Sequence, residues 1–181
     1  MEYGMGVLKR VCSSMIVLFL LAGCSTSIGP ILGNDSEIPI RAIDGNLSKA
    51  FPVSRKASFG RVKILGAVTV PNAGEHQLVV RGYFNLVSFE IPEGIDGLVQ
   101  YTAGLRYDPN TQAFYLDKLV PRMIEFNNPS LQEYVSNAAR RGIPSLIAKS
   151  LASVPVYRMK SSARSVKEIT VKKESVAVTF N

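Results

Sequence analysis

One long amphipathic stretch, residues 128–154, places the strongest limit on the folds open to this chain. Its apolar residues recur at intervals of three and four, the spacing that gives an α-helix one wide apolar stripe. Asn128 is a favourable N-cap, Pro129 suits the first helical position, and Pro155 is expected to end the helix. Nearly everything else after residue 50 has the period of β-strands. A single long helix among strands has to bury its stripe against a sheet.

Pro144 lies inside this stripe, two residues after Gly142. A proline within a helix removes one backbone hydrogen bond and usually kinks the helix. The sequence therefore predicts either one bent helix or two shorter helices over residues 129–142 and 144–153. The stripe continues in phase across Pro144, so both parts are expected to face the sheet.

The strands are expected to form an antiparallel meander, because tight turns separate them. Alternation with a period of two marks residues 61–70, 77–89, 98–107, 113–120 and 156–159, and a terminal hairpin over 166–172 and 175–180. Gly82, midway along a long strand, indicates a bulge or a sharp bend. The predicted fold is α+β: a strongly curved antiparallel sheet wrapped around one long amphipathic helix, with a short helix over residues 41–51 before it.

The first 24 residues have the pattern of a bacterial lipoprotein signal. Lys9 and Arg10 precede an apolar run that is shorter than the roughly 20 residues a membrane span needs. Leu21-Ala22-Gly23-Cys24 then matches a lipobox. We expect residues 1–23 to be a signal peptide and Cys24 to be the lipidated first mature residue, N-acylated by a chain such as palmitate. A plain secretory signal cut elsewhere is the alternative.

Ser25 bears on the destination of such a lipoprotein. An aspartate at this place commonly signals retention in the inner membrane, so Ser25 favours the outer membrane, with the domain facing the periplasm. Residues 24–37 have no periodicity and are interpreted as the lipidated N-terminus and a flexible tether. Residues 38–181 are interpreted as a single domain.

No catalytic group can be assembled convincingly from the side chains present. The chain has one histidine, His76, beside a turn, and it has no G-x-S-x-G motif to present a nucleophilic serine. Metal-ligand spacing, phosphate loops and dinucleotide fingerprints are missing as well. We therefore expect a protein that is not an enzyme and that uses no cofactor or metal.

The net charge is +7, yet the basic doublets are scattered along the chain. Scattered charge and export both argue against a nucleic-acid partner. The doublets are interpreted either as solvated polar faces or as contacts with anionic phospholipid. Apolar residues are more plentiful than a one-faced sheet requires, and they include a run of tyrosines, Tyr83, Tyr101, Tyr107 and Tyr115. They either fill a core or line a lumen for an acyl chain.

Several motifs of the C-terminal half together resemble the YceB-like family of bacterial lipoproteins. They are residues 104–109 (GLRYDP), 113–116 (AFYL), 154–158 (VPVYR), 166–167 (VK) and 176–180 (VAVTF). The family resembles a bacterial branch of the tubular lipid-binding superfamily, in which a bent sheet wraps one long helix around an apolar lumen. The resemblance implies a lumen here, and it carries over no active site.

Two functions follow as expectations. The first is an outer-membrane lipoprotein that binds a lipid or another apolar molecule between helix and sheet, without chemistry. The residues expected to line the lumen are Leu131, Val135, Ala138, Ala139, Ile143, Leu146, Ile147, Phe84, Tyr101 and Leu105. The second is an assembly lipoprotein that has a filled core and docks another envelope protein. In both, acyl chains on Cys24 hold the protein on the membrane.

Overall fold

Six consecutive strands form the main sheet of this protein, for which the computed structural model describes residues 35–71, 77–159 and 165–181. The strands are β2 (Val53–Ala57), β3 (Gly60–Pro71), β4 (Leu78–Val87), β5 (Ile95–Asp108), β6 (Ala113–Phe126) and β7 (Pro155–Arg158). Each pairs antiparallel with the next in chain order. The antiparallel sheet curls into a half-barrel, so the predicted curved meander is confirmed.

A second, three-stranded sheet joins the two ends of the described chain. It contains β1 (Asp35–Pro39), β8 (Val166–Val171) and β9 (Ser175–Phe180), with β9 in the middle. The terminal hairpin was predicted and is confirmed, but β1 was not predicted, since residues 35–37 had been assigned to the tether. Local sequence does not mark this strand. It is held by pairing with β9, where Ile38 lies opposite Val176 and both side chains are buried.

Three helices accompany the strands in the described ranges: α1 (Ile40–Ala50), α2 (Pro129–Gln132) and α3 (Asn137–Ala152). The short helix predicted over residues 41–51 corresponds to α1, which buries Ile40, Ile43 and Leu47 and packs beside β3 and β7. The prediction of one long helix is not confirmed, because the stretch from residue 128 to 154 contains two helices of unequal length.

The interruption lies at residues 133–136 rather than at Pro144, and capping explains its position. The Ser136 hydroxyl accepts a hydrogen bond from the Ala139 backbone N–H at 3.2 Å, which starts α3. The Arg140 guanidinium donates to the carbonyls of Gln132 and Val135, which lie at and just after the end of α2. Pro144 lies within α3, and the helix continues through it. Of the two expected alternatives, the division into helices over residues 129–142 and 144–153 is therefore wrong, because the two helices are separated at residues 133–136 instead.

The glycine in the middle of β4 also differs from expectation. Gly82 pairs in continuous register with Ala67 on one side and Val99 on the other, so no bulge occurs there. The register of β3 with β4 shifts instead between Ile64 and Gly66. Gly82 is instead required by the packing of α3, which lies close to the strand at this residue.

One continuous hydrophobic core lies between the helices and the sheets, and the described residues belong to one compact unit. Its largest fully buried side chains include Tyr101, Phe84 and Phe114. None of the helices in the described part of the chain is long and apolar enough to cross a bilayer. The predicted signal peptide and Cys24 lie outside the described residues, as does the tether before residue 35.

Candidate functional site

The packing of α3 on the main sheet determines how much space remains beside the helix. Ala139, Ile143, Ile147 and Leu151 form its buried stripe. A Cβ atom at Gly82 would lie 3.0 Å from Ile147 Cγ2 and 3.8 Å from Leu151 Cδ1, so the missing side chain lets α3 sit close to β4. The close contact between helix and strand leaves no ligand-sized gap at this point.

Tyr101 joins β5 to the same helix through a buried hydrogen bond. Its phenol oxygen donates to the Pro144 carbonyl at 2.8 Å, and its side chain is fully buried. Burial raises the pKa of the Tyr101 phenol well above its ordinary value, because the phenolate would lose its hydration. The group therefore stays neutral and acts as a hydrogen-bond donor that connects sheet and helix.

The residues expected to line a lumen fall into three groups. Those in the packed core are Val135, Ala139, Ile143, Ile147, Phe84 and Tyr101. Leu131, Leu146 and Leu105 are half-buried and pack against that core, whereas Ala138 is exposed. The structure thus brings most of the set together beneath α3, where the side chains fill the space between helix and sheet.

A groove of about 520 Å³ runs along the side of α3, between this helix and the edge strand β2; we call it the α3–β2 groove. Its lining residues are Arg55, Gly142, Ser145, Leu146, Lys149, Ser150 and Ser153. Two cations, three hydroxyl groups and one apolar side chain therefore share one concave surface. Its volume lies within the range of roughly 300–1,000 Å³ that small-molecule sites occupy.

The contact between Phe59 and Gly142 bounds this groove. Phe59 lies in the turn between β2 and β3, and a Cβ atom at Gly142 would overlap its ring. Beyond the contact, a second groove of about 490 Å³ is lined by residues that include Phe59, Phe89 and Ala138. Ala138, expected in a lumen, thus lies on this outer surface instead.

The periodicity of α3 explains the helical wall of the α3–β2 groove. Ser145, Lys149 and Ser153 recur at intervals of four and share one face of the helix, beside the apolar stripe. The Ser150 hydroxyl is buried and donates to the Leu146 carbonyl at 3.1 Å. None of these serine and lysine residues was among those expected to bind a ligand, although their spacing was a usable signal.

Arg55, the cation of the opposite wall, belongs to the basic doublet Arg55-Lys56, and only this charge marked it in the sequence. It lies in β2, a five-residue strand at the edge of the sheet with no fully buried residue. Its place is set by pairing with β3, where Arg55 lies opposite Val62. Neither apolar alternation nor a motif marks this strand in the sequence.

The lining of the α3–β2 groove combines positive charge, hydroxyl groups and apolar surface. No group of three histidine, cysteine, aspartate or glutamate side chains in residues 35–71, 77–159 and 165–181 is placed to hold a metal ion. His76 and Cys24 lie outside these ranges. Arg55 and Lys149 offer positive charge to an anionic group, and Leu146 offers apolar contact. The hydroxyls of Ser150 and Ser153 already donate to the carbonyls of Leu146 and Ser150, so Ser145 supplies the hydroxyl that can donate to a ligand. This combination suits a molecule with a charged head and an apolar tail.

Comparison with known proteins gives one family match. The model of a family described as a protein of unknown function, DUF1439, matches residues 44–179. The match begins within α1 and ends within β9, so it includes both walls of the α3–β2 groove. No curated protein matches the chain.

Proposed function

The chain belongs to the DUF1439 family, and we propose that it is a lipid-anchored envelope protein that binds a lipid or similar amphiphile in the α3–β2 groove, without chemistry. The observation that carries the proposal is the α3–β2 groove, where Arg55 and Lys149 flank Leu146. A carboxylate or phosphate head would bind the two cations. The resemblance to the YceB-like lipoproteins and the tubular lipid-binding superfamily supports a lipid as the ligand.

The packed interior limits where that ligand enters. Ile143 and Ile147 are fully buried against the sheet, so the space beneath α3 opens only if the helix moves or its side chains repack. The groove needs no such movement, because it is open beside the helix. The head group is therefore placed at the groove, with the tail extending past Leu146 toward the helix–sheet junction.

Lipid binding is tested by native mass spectrometry of the protein purified from membranes in mild detergent, and by titration with a dansyl-labelled fatty acid. Each exposed ion pair contributes up to about 1 kcal/mol, so the double variant Arg55→Gln, Lys149→Gln should bind the probe roughly fivefold to thirtyfold more weakly. The control Arg41→Gln, Lys49→Gln removes the same charge from exposed positions of α1 and should bind as wild type does.

The packed interior also favours a second function, an assembly lipoprotein that holds no ligand and docks an envelope protein. Fully buried side chains such as Phe84, Tyr101 and Ile147 fill the space that a lumen would occupy. Absence of co-purified lipid, together with no saturable uptake of the dansyl probe, would refute the lipid-binding proposal and leave this second function.

The membrane anchor is proposed from the lipobox that ends at Cys24. Cys24→Ala should move the protein from the membrane fraction to the soluble fraction, because the acylated thiol is lost. Sucrose-gradient separation of the two membranes checks the outer-membrane location that Ser25 favours. A Cys24→Ala protein that stayed on membranes after a high-salt wash would place the anchor elsewhere.

A further inference from the structure

The face of the main sheet that points away from α3 carries a cluster of exposed apolar side chains. Side chains alternate along each strand, so Phe84 and Tyr101 point toward the helix, and the residues next to them along β4 and β5 point to the opposite face of the sheet. Val68, Tyr83, Val120 and Met123 lie on this outward side with 37–48% of their surface exposed. Three strands, β3, β4 and β6, contribute to the cluster, so it is a property of the assembled sheet.

Strand register places two arginines among these apolar residues. One row across four strands runs Val68, Arg81, Gln100, Met123, and the next runs Val70, Val79, Thr102, Val120. The Arg81 Nε donates to Gln100 Oε1 at 3.2 Å, and the Arg122 Nε donates to Thr102 Oγ1 at 3.2 Å. We call these two rows, with Tyr83 and Arg122, the outer patch. Strand spacing makes it about 14 Å across, with an area on the order of 200 Å².

The surrounding outward side of the sheet is predominantly basic. Its basic residues are Lys56, Arg61, Lys63, Arg81, Arg106, Arg122 and Arg158, and its acidic residues are Asp96, Asp108, Asp117 and Glu125. Asp96 also accepts a hydrogen bond from the Asn85 amide at 2.9 Å. The face therefore combines positive charge with exposed apolar and aromatic side chains, the composition of a surface that lies at an anionic bilayer.

We propose that the outer patch rests on the head-group region of an anionic membrane. Arg81 and Arg122 would bind lipid phosphates, while Tyr83, Met123 and Val120 would contact the acyl boundary. The patch is small compared with the roughly 800 Å² per partner that a stable protein interface buries, which favours a bilayer over a second copy of the chain.

The predicted anchor makes such contact geometrically accessible. Cys24 precedes the first strand by 11 residues, which span at most about 40 Å when fully extended. A domain held that close to the surface meets the bilayer at high effective concentration. Weak electrostatic and apolar contacts then suffice to orient it.

The test uses the full lipidated protein reconstituted into vesicles. The sequence has only two cysteines, one in the signal peptide and one at the acylation site, so an introduced cysteine is a unique labelling position. Met123→Cys carries an environment-sensitive fluorophore in the outer patch, and Tyr134→Cys carries it on the exposed segment between α2 and α3. Doxyl-labelled lipids then report the depth of each fluorophore, in vesicles with and without phosphatidylglycerol.

We expect stronger quenching of the fluorophore at Met123→Cys than at Tyr134→Cys. The quenching at Met123→Cys should also increase with the phosphatidylglycerol content of the vesicles. Adding Arg81→Gln and Arg122→Gln should lower the ratio of docked to undocked protein about thirtyfold at low ionic strength. Equal quenching at both positions would overturn the proposal. The proposal would also be overturned if the fluorophore at Met123→Cys became shielded from solvent as protein concentration rises in lipid-free detergent. Such shielding would assign the outer patch to a protein partner.

Anchoring and docking are separated within the same experiment. A protein that does not float with vesicles has no anchor, which refutes the anchoring part of the proposed function. A protein that floats while the Met123→Cys fluorophore stays unquenched has its anchor and refutes the docking of the outer patch. The Tyr134→Cys fluorophore measures the quenching that anchoring alone produces.

Discussion

Replacing Tyr101 with phenylalanine tests the contact that joins α3 to the sheet. The phenol donates a 2.8 Å hydrogen bond to the Pro144 carbonyl from a fully buried position. A buried hydrogen bond of this kind contributes about 1 kcal/mol net, so Tyr101→Phe should lower the free energy of unfolding by that amount at pH 7. Phenylalanine keeps the ring and its packing, so the loss is confined to the polar interaction.

The pH dependence gives the same variant a second and sharper readout. Burial raises the folded-state pKa of Tyr101 above the unfolded value of 10.0. The stabilisation from the neutral phenol is therefore fully present below pH 10 and is lost as the pH rises further. Above pH 10 the wild type should lose about 1.4 kcal/mol per pH unit relative to Tyr101→Phe. The two unfolding curves should cross at about pH 10.7.

Urea unfolding followed by circular dichroism between pH 7 and pH 11.5 measures both effects. The control Tyr83→Phe removes a hydroxyl from an exposed ring on the opposite side of the sheet and should change stability by less than about 0.5 kcal/mol. If Tyr101→Phe matched wild type at pH 7, the hydrogen bond would contribute nothing. A difference that stayed constant to pH 11.5 would refute the raised pKa.

Two further predictions concern the core and the sheet. Ile147→Ala should lower the free energy of unfolding by about 2–5 kcal/mol, because it leaves a cavity between α3 and β4. The control Tyr134→Ala, at an exposed position, should change that free energy by less than about 0.5 kcal/mol. Equal urea midpoints for the two variants would contradict the packing of Ile147. Gly97→Ala should destabilise strongly because its Cβ would overlap the Glu125 backbone oxygen, whereas Gly45→Ala, with nothing within 4 Å, should stabilise α1 by about 0.5–1 kcal/mol. Thermal melts that ranked these two variants in the opposite order would contradict the close approach of β5 to β6 at Gly97.

Local patterns predicted five of the six strands of the main sheet, all except β2, because each signal acted over a few residues. Alternation placed β3 to β6, the Asp108–Thr111 turn joined β5 to β6, and Pro155 ended the helical stretch before β7. The order of strands followed from tight turns, which pair consecutive strands in antiparallel fashion. The curved meander and the terminal hairpin could therefore be read from the chain alone.

The helical stretch shows where a local pattern stops being sufficient. Its apolar spacing is continuous, and Pro144 was the obvious place for an interruption. The structure interrupts it at residues 133–136 because Ser136 caps α3 and Arg140 satisfies carbonyls at the end of α2. An N-cap serine in mid-pattern is a weak signal in a sequence, and its effect depends on side-chain contacts that only folding creates.

Part of the candidate site could likewise be predicted from local sequence, and part of it depends on the tertiary structure. The periodicity of α3 indicated most of the residues that face the sheet, although Ala138, expected among them, is exposed. It also placed polar residues such as Ser145 and Lys149 on one side of the helix. Only the tertiary structure placed Arg55 across from them, brought β1 to β9, and filled the space beneath α3 with side chains from distant strands. The physical reason is the sequence separation of the residues involved. Periodicity depends on residues that are close together in the chain, whereas a groove or a packed interior depends on distances between elements that are far apart in the chain.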